Sequence, residues 1–509
     1  NMSRIKRRRS NLVINDETRL FIGSLESLCE KSYDYHSCII LDGVSLNKSE
    51  VEIEYIPSDR HYDKFDIYAQ MPGFVQPGTS SLNTNFTLDN SVLGKYFNTN
   101  CSFDMQVHIG KCSTKPSEFA LFDKAIIFKN VSINSYNIDS IMSGKKTDVA
   151  PITESVNFSF EKMFEVSKPT FVEQISDIVA AGPIIDSFVF CNDSRCNLCV
   201  GMTGKYYVQL VVCGDECNQL RVIYTLDNGK TWRTKPINIC NSIECHHSQF
   251  VNTNIVSNTS SIYYLGLNQS AGKTIPQIID NSMDVFAKSL MVGTDLINAF
   301  TKYNTTFFVG TNGRIFVSEY GIFKRLINTQ LDITKDIFTI HSIDGENFIA
   351  GSENGRIYIG TVSNSIESLT IPNSGNVYAV AMISNCSFIA STGSTGAVLF
   401  TNGRISKVKG IRGTITKFAF FNEDIGYASS IAGNSVYFWQ TVNGGKDWQQ
   451  LDTVLSTNYV VTTIEICELN HNVISIAGRK METAVSTEDA TDPSILWDCQ
   501  GQGFILFSV

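Results

Sequence analysis

Residues 224–234 read YTLDNGKTWRT, and the role of this short stretch decides how the whole chain is interpreted. A short carboxylate such as that of Asp227 can accept backbone N–H groups across its own turn. Gly229 tolerates a positive φ, and Trp232 can pack its ring beneath a hairpin. The composition of the stretch therefore favours a device that ties two strands together over a catalytic loop.

Two apolar segments precede this stretch: YYVQLVV begins at Tyr206 and LRVIYT begins at Leu220. In later segments of the same kind, an apolar triplet is followed by a small-residue turn, a second apolar strand, and a Ser or Thr that enters a Gly or Asn turn. These segments begin at Asn304, Gly345, Asn385, Glu423 and Asn472. The second half of the chain is therefore a repeat.

A glycine recurs in these segments at a nearly constant spacing. It stands at Gly310, Gly351, Gly393, Gly433 and Gly478, which are 40 to 45 positions apart. Periods of about 40 residues built from short strands indicate a β-propeller. Residues 184–509 leave room for seven blades, and the final GFILFSV is predicted to join the last blade to the first and so remove an exposed edge.

The turn at residues 225–232 resembles the Asp-box, or BNR repeat, of sialidases and related propellers, whose pattern is Ser/Thr-x-Asp-x-Gly-x-Thr-Trp. The matching residues are Thr225, Asp227, Gly229, Thr231 and Trp232. A second copy matches at Thr441, Gly445 and Trp448, but Asn443 replaces the Asp and Asp447 replaces the Thr. The resemblance implies a structural hairpin on the blade rim, away from any substrate site.

Catalysis is not expected. A sialidase would need an arginine triad, because the guanidinium fork binds a carboxylate. Arg314, Arg356 and Arg404 instead recur just after a turn glycine, which is typical of repeat architecture. The sequence has no P-loop, HExxH or GxSxG motif. We therefore assign no catalytic residue and no cofactor, although carboxylate pairs distant in the chain stay possible.

Composition sets further limits. A chain of 509 residues is expected to form two or more domains, and its net charge of −9 argues against a whole-protein nucleic-acid binder. The basic run Lys6–Arg9 either contacts nucleic acid or an acidic neighbour, or is a solvated arm. No apolar run approaches the roughly 18 residues of a membrane span, so no membrane insertion is expected. The N-terminus lacks a secretory apolar region, so synthesis in a cytosol is expected.

Seven of the 14 cysteines crowd into residues 191–245, followed by His246 and His247. They are Cys191, Cys196, Cys199, Cys213, Cys217, Cys240 and Cys245. The gap between Cys196 and Cys199 is that of a zinc knuckle. A structural zinc, disulfides formed after release from the cell, and buried thiols are all open interpretations. No metal is assigned, because the pairs fall at expected strand ends.

The first 165 residues lack the 40-residue period and are predicted to form a different all-β domain. Strands are predicted at 51–56, 103–109, 125–136 and 155–164, with Val156, Phe158 and Phe160 on one face. A short helix is predicted from Lys115, capped by Ser117, and a polar loop at 139–154.

This order of elements, above all LFDKAIIFKNVSINSYNID followed by a loop and ESVNFSF, resembles the tail-tube proteins of tailed bacteriophages over residues 18–165. The resemblance implies a β-sandwich or barrel whose strands continue across subunits into a hexameric ring. Stacked rings would form a tube with viral DNA as its lumen content. Pairing between subunits would cover the edges that long alternating strands leave open in a single copy. The residues alone fit an ordinary β-sandwich of a monomer equally well.

The sequence thus predicts an all-β chain with four parts: a basic arm (1–17), a tail-tube-like β domain (18–165), a connector (166–183) and a seven-bladed β-propeller (184–509). The predicted function is that of a virion structural protein of a phage tail, made in the host cytoplasm. Its predicted partners are further copies of itself, other virion proteins, and a host-surface glycan or protein. One alternative is a glycan-binding or glycan-cleaving, sialidase-like propeller with an accessory β domain. Another is an assembly factor whose propeller cradles partner proteins.

Overall fold

A computed structural model of the chain divides it into two units, at the boundary between Ser167 and Lys168. This boundary lies inside the predicted connector. The structure describes residues 18–27, 30–45, 77–85, 92–110, 119, 122–139, 153–174, 176–191, 206–213, 220–236, 245–252, 262–268, 273–279, 285–287, 296–302, 305–319, 322–372, 374–394, 396–467, 470–491 and 501–508. The basic arm, the strand predicted at 51–56, and most of the predicted helix and polar loop lie outside these ranges.

Among its described residues, the first unit contains seven antiparallel strands and one helix. They are β1 (Thr18–Ser27), β2 (Glu30–Ser45), β3 (Gly78–Asn85), α1 (Val92–Thr99), β4 (Phe103–Ile109), β5 (Lys124–Asp139), β6 (Thr153–Phe160) and β7 (Lys162–Ser167). The strand order is β4-β1-β2-β3-β6-β5-β7, and β4 also pairs with β5. The strands predicted at 103–109 and 125–136 are confirmed as β4 and β5. The strand predicted at 155–164 is divided between β6 and β7.

Two long strands change partners halfway along their length. Residues 30–38 of β2 pair with β1, and residues 39–45 pair with β3. The first half of β5 pairs with β4 and β7, and residues 132–139 pair with β6. The change in β5 occurs at Asn130, which has φ 54° and whose backbone N–H donates to Asp104 Oδ1 at 3.0 Å. A left-handed residue held by a carboxylate is therefore the local cause of the bend.

The core of the first unit follows the predicted alternation along β6. Val156, Phe158 and Phe160 are all buried on one face, and Phe128 of β5 meets both phenylalanine rings edge-on. Helix α1 was not predicted, because its sequence VLGKYFNT is short and contains a glycine. It is stabilised by tertiary contacts such as the stacking of Tyr96 on Phe103, with 4.2 Å between the ring centroids.

The second unit contains seven four-stranded antiparallel sheets among its described residues. The first four are β9–β12 (Ile184–Cys191, Tyr206–Cys213, Leu220–Thr225, Arg233–Pro236), β13–β16 (Cys245–Asn252, Ile262–Asn268, Lys273–Ile279, Val285–Ala287), β17–β20 (Leu296–Lys302, Thr305–Gly310, Arg314–Glu319, Ile322–Leu326) and β21–β24 (Ile337–His341, Asn347–Ser352, Arg356–Thr361, Ile366–Thr370). The next two are β25–β28 (Val380–Ser384, Ser387–Ser391, Ala397–Thr401, Arg404–Lys407) and β29–β32 (Thr414–Phe420, Gly426–Ala432, Ser435–Thr441, Gln449–Ser456). The last comprises β33 (Tyr459–Cys467), β34 (Asn470–Lys480), β35 (Gln502–Ser508) and β8 (Phe171–Glu173); the short helices are α2 (Asp177–Ala180) and α3 (Thr487–Thr491).

The sheets are arranged as blades of a β-propeller. Within each of the first six, strand order follows the chain, and the first strands of successive sheets lie against one another. The first strand of the first sheet, β9, also lies against β33 of the last sheet. The β-propeller predicted from the repeat is therefore the fold of the second unit.

The outermost strand of the last sheet comes from the beginning of the unit. Phe171 of β8 pairs with Ser508 of β35, and Glu173 pairs with Leu506. The segment 166–183, which the sequence indicated to be a connector, thus contributes a strand to the propeller. The C-terminal GFILFSV segment takes the third position of that sheet, and its partner β8 precedes the first sheet in the chain.

The recurring glycines are not equivalent in space. Gly351 and Gly478 lie inside second strands, opposite a bulge in the neighbouring first strand. A Cβ at Gly351 would stand 2.6 Å from the backbone oxygen of Val377. Gly393 and Gly433 instead lie in the turn after the second strand, with φ of 64° and 61°. The regular spacing therefore reflects the length of one sheet. Glycine is required for close backbone packing at some of these positions and for a positive φ at others.

The three arginines that follow turn glycines are not equivalent in space either. Arg314 and Arg356 begin the third strands β19 and β23, but Arg404 begins the fourth strand β28. Arg356 is ion-paired, with 2.9 Å between its Nη1 and Asp332 Oδ2. The three arginines follow turn glycines of two kinds, so they are not one repeated position.

Candidate functional site: two hydrogen-bonded turns of the propeller

The two turns singled out by sequence occupy the same place in their sheets. Turn 225–232 joins the third and fourth strands of the first sheet, and turn 441–448 joins those of the sixth. Each begins with a buried threonine, Thr225 or Thr441, that ends the third strand. The strand pairing of the blade therefore fixes where each turn starts.

Turn 225–232 is held by its own side chains. The Thr225 hydroxyl donates to Asp227 Oδ1 at 2.9 Å and accepts the Gly229 N–H at 2.9 Å. Asp227 Oδ1 also accepts the Thr231 N–H at 2.8 Å, and Asp227 Oδ2 accepts the Thr231 hydroxyl at 2.6 Å. Asn228 and Gly229 have φ of 60° and 82°, which an Asn-Gly pair adopts at little cost. Every oxygen of the Asp227 carboxylate is therefore used inside the turn.

Turn 441–448 keeps this network with the chemical roles exchanged. The Thr441 hydroxyl donates to Asn443 Oδ1 at 3.0 Å and accepts the Gly445 N–H at 3.0 Å. Asn443 Oδ1 accepts the Asp447 N–H at 3.0 Å, and Asn443 Nδ2 donates to Asp447 Oδ2 at 2.8 Å. In the first turn the carboxylate precedes the donor, whereas here the donor precedes the carboxylate. The two departures from the sequence pattern therefore compensate each other.

The hydrogen bonds set the charge state of Asp227. Burial acts to raise the pKa of this carboxyl, but the hydroxyl and N–H of Thr231, with further bonds from Thr225 and the Lys230 backbone, outweigh it and lower the pKa below the ordinary 3.8. A carboxyl with a lowered folded-state pKa stabilises the fold above its ordinary pKa. That contribution is lost as the pH falls through the lower folded-state value. Asp227 is therefore an anion at neutral pH and acts as a hydrogen-bond acceptor.

The two tryptophans differ in how their indole N–H groups are satisfied. Trp448 is buried among the rings of Phe418 and Phe420, and its Nε1 donates to the Gly445 oxygen at 2.9 Å. Trp232 packs in the core shared with Val208. Its Nε1 has no acceptor among the described residues. The second turn is thus tied to its core by one more hydrogen bond than the first.

The exchange of roles makes a double-mutant prediction. Asn443→Asp places two carboxylates face to face at a nearly buried position, so we expect the second unit to lose about 2 kcal/mol of unfolding free energy at neutral pH. Adding Asp447→Thr recreates the pairing of the first turn and should restore most of that loss. Urea unfolding of the single and double variants at pH 7 measures both effects.

The control for this cycle is Asp227→Asn, where Thr231 keeps an oxygen partner and the expected loss is below about 1 kcal/mol. Lowering the pH should shrink the Asn443→Asp loss, because one of the two carboxyls then takes up a proton. A double variant no more stable than Asn443→Asp alone would contradict the exchange.

A third turn of this kind was missed in the sequence. Residues Ser342 to Asn347 join the first two strands of the fourth sheet. Asp344 Oδ1 accepts the N–H groups of Glu346 and Asn347 at 2.9 and 2.8 Å, and Asp344 Oδ2 accepts the Asn347 side chain at 2.6 Å. Gly345 N–H donates to the Ser342 hydroxyl at 3.0 Å. The signal was present as Ser-x-Asp-Gly-x-Asn, but it stands at another turn of the blade and lacks the Trp.

The Asp227 carboxylate and the Asn443 amide are engaged within their own turns, where they hold the backbone. Within the described ranges, no three His, Cys, Asp or Glu side chains are grouped so that they could hold a metal ion. Of the seven clustered cysteines, Cys191, Cys213 and Cys245 stand at strand ends, and the other four lie outside the described residues. The three interpretations of that cluster stay open, and the absence of a catalytic residue, cofactor or metal stays a prediction.

No described helix is long and apolar enough to cross a membrane.

Comparison with known proteins places the chain in no family. No family model matches it, and no curated protein is similar to it. Among solved structures, YCF48 bound to the D1 peptide is similar at 10% identity and a TM-score of 0.44, over 68% of this chain and 96% of that one. YCF48 from Cyanidioschyzon merolae is similar at 14% identity and 0.42, over 66% and 98%. The WD40 β-propeller domain of Doa1 is similar at 9% identity and 0.44, over 66% and 97%.

Proposed function

We propose that this chain is a self-assembling structural protein of a phage tail. In this proposal the first unit has a tail-tube-type fold and joins a hexameric ring, and stacked rings enclose viral DNA in the virion. The second unit is a seven-bladed propeller with Asp-box turns, carried on the exterior. It contacts other virion proteins or a glycan or protein of the host surface. The chain has no catalytic role.

The observation that carries the proposal is a four-stranded half-sheet in the first unit whose two outer segments have no second partner among the described strands. Its order is residues 39–45 of β2, then β3, β6 and residues 132–139 of β5. Each outer segment pairs with a described strand on one side only. Long strand edges of this kind favour pairing with another chain.

The strand directions suit a ring. All neighbours in the half-sheet are antiparallel, so its two edge segments run in opposite directions. When copies are related by rotation about an axis roughly along the strands, β5 of one copy lies beside β2 of the next and is antiparallel to it. A twofold pairing of β5 with β5 would leave both β2 edges open. A cyclic arrangement therefore covers more edges than a dimer.

One face of this half-sheet carries a polar patch that is uncharged across β3, β6 and residues 132–137 of β5, with Asp42 of β2 beside Ser81 and Asp139 of β5 beside Thr153 at its margins. The register aligns three rows of three residues across β3, β6 and β5, all of them Ser, Thr or Asn and none buried. The rows are Thr79, Ser159 and Ser132; Ser81, Asn157 and Ser135; and Asn83, Ser155 and Asn137. The charged residues that the register places on this face are both carboxylates, so the face does not bind the phosphates of a passing duplex. This supports its placement toward the lumen.

Assembly is tested by a charge placed at the β5 edge. Ile138 is 49% exposed there, so Ile138→Lys should change folding stability by no more than about 0.5 kcal/mol yet prevent edge pairing. We expect rings or tubes of the full chain in electron micrographs, and their loss in the variant. Light scattering after size exclusion measures the same difference in solution.

The matched control is Ile327→Lys, because Ile327 of the second unit is 73% exposed and far from any strand edge of the first unit in sequence. It should assemble as the unaltered chain does. A full chain that stays monomeric at high concentration, or an Ile138→Lys variant that still forms rings, would refute the proposed assembly. A monomer that bound or cleaved a glycan would support the sialidase-like alternative.

A further inference from the structure

A basic surface lies on the fifth sheet of the propeller, although the chain as a whole is acidic. Residues 404–417 contain five Lys or Arg and no Asp or Glu. Four of these cations are exposed: Arg404, Lys407, Lys409 and Arg412. We call these four residues the basic strip.

The basic strip is held on an ordered backbone. Val408 and Ile411, which alternate with its last cations, are buried in the core of the fifth and sixth sheets. The backbone N–H of Lys409 donates to the backbone oxygen of Lys446 at 2.9 Å. The backbone oxygen of Lys409 accepts the backbone N–H of Trp448 at 2.9 Å. The backbone at Lys409 is therefore fixed to turn 441–448.

The charges of the strip are not neutralised within the described part of the second unit. No carboxylate there lies within 4.0 Å of any of the four cations. Arg412 has neutral neighbours: its Cζ lies 5.2 Å from the ring centroid of Tyr437, and its Nη2 lies 3.5 Å from Gln450 Oε1. An exposed cluster of like charges raises the local concentration of anionic partners.

The first part of the strip is also a strand edge with no second partner among the described strands. β28 pairs with β27 through Thr401 to Arg404 and Val398 to Lys407, and with no other described strand. All four of its side chains are exposed, and Ile405 is 46% exposed. Charge on an edge strand by itself serves to discourage aggregation. Here the charge continues past the strand, through Lys409 and Arg412, so the surface is longer than edge protection requires.

We propose that β28 accepts an extended acidic segment of a partner protein as a fifth strand of this sheet. Backbone groups of the segment would pair with the open edge of β28. Side chains alternate along a strand, so Arg404 and Ser406 face one side and Ile405 and Lys407 face the other. The fitting segment therefore carries carboxylates on both faces and an apolar residue beside Ile405, with a further carboxylate toward Lys409. This inference rests on the proposed role of the propeller as a partner-binding module, and it is independent of ring assembly.

The test uses the full chain and a fluorescein-labelled, end-capped peptide that repeats Glu-Ser-Val-Glu over about eight residues, which places carboxylates on both faces of a strand; we call it the Glu-Val peptide. We expect saturable binding by fluorescence anisotropy at low salt, weakening as ionic strength rises. The double reversal Arg404→Glu/Lys407→Glu should weaken binding at least tenfold. The control reversal Lys95→Glu/Lys230→Glu alters two exposed lysines elsewhere and should leave binding unchanged.

Three further probes separate strand addition from simple charge attraction. A peptide with Pro in place of Val keeps the charge but cannot donate backbone N–H groups at those positions, so it should bind at least tenfold more weakly. An oligothymidylate and a sulfated polysaccharide should also bind more weakly than the Glu-Val peptide. Equal binding of any of these three, or no effect of the Arg404→Glu/Lys407→Glu reversal, would overturn the inference.

The same reversal separates this inference from the proposed assembly. Arg404→Glu/Lys407→Glu should form rings as the unaltered chain does while losing the peptide. If the unaltered chain forms rings but does not bind the peptide, only the proposed strand addition at β28 is refuted. If the chain binds the peptide but never assembles, only the proposed ring is refuted.

Discussion

Replacing Trp448 with alanine is expected to cost the second unit about 3–5 kcal/mol of unfolding free energy. The indole is almost fully buried, and it fills the space between turn 441–448 and the rings of Phe418 and Phe420. Its removal leaves a cavity, because the surrounding strands are fixed by their own hydrogen bonds and cannot collapse. It also frees the oxygen of Gly445, which the indole N–H now satisfies.

Phenylalanine variants separate packing from hydrogen bonding at the two turns. Trp448→Phe keeps much of the apolar volume but loses the bond to Gly445, whereas Trp232→Phe loses no such bond among the described residues. We therefore expect Trp448→Phe to cost about 1 kcal/mol more than Trp232→Phe. Because the chain has two units, unfolding is best followed by hydrogen exchange of peptides from the second unit. Equal costs for both substitutions would show that the Gly445 bond contributes nothing.

Adding a single methyl group at Gly503 should destabilise the closing sheet by about 3 kcal/mol or more. A Cβ at this position would overlap the backbone oxygens of both Val179 and Gly182. These atoms cannot move aside as a flexible side chain could, so β35 would have to separate from the segment that carries α2. That segment also supplies β8, whose Phe171 and Glu173 pair with β35.

Hydrogen exchange of residues 171–173 and 502–508 is the direct measurement for Gly503→Ala. Faster exchange is expected in both peptides at once, because they form one ladder. Gly375→Ala is the matched control: its φ is not left-handed, and the nearest atom to its added Cβ is 3.8 Å away. It should be neutral or slightly stabilising, since alanine restricts the unfolded chain. Protection that is unchanged in Gly503→Ala would mean that the propeller does not depend on this closure.

Much of the fold was predictable because it is encoded by short-range patterns. The alternation of Val156, Phe158 and Phe160 predicted which face of β6 is buried, and all three are buried. The repeated strand-turn pattern predicted a propeller. The composition of residues 225–232 predicted a turn held by its own side chains. In each case the deciding signal is a pattern of residues that are close together in the sequence.

The features that the sequence did not predict depend on contacts or positions outside their own segment. Helix α1 is stabilised by Phe103 and other residues of the sheet rather than by its own sequence. Its low helical propensity therefore did not predict a helix. The turn at Asp344 has the right chemistry at an unexpected place in the blade. Arg404 follows a turn glycine as Arg314 and Arg356 do, yet it begins a fourth strand. A local motif specifies the conformation of its own turn and does not specify which turn of the blade it occupies.

The sequence by itself thus determined the strand character, the repeat and the chemistry of individual turns. Only the tertiary structure decided which strands pair across long separations, because backbone hydrogen bonds between strands carry no side-chain signature. The pairing of β8 with β35 joins opposite ends of the second unit, and the partner exchanges of β2 and β5 leave one side of each of these strands without a described partner over residues 39–45 and 132–139. Such pairings depend on contacts between distant parts of the propeller and on the burial of the shared core, which no local pattern contains.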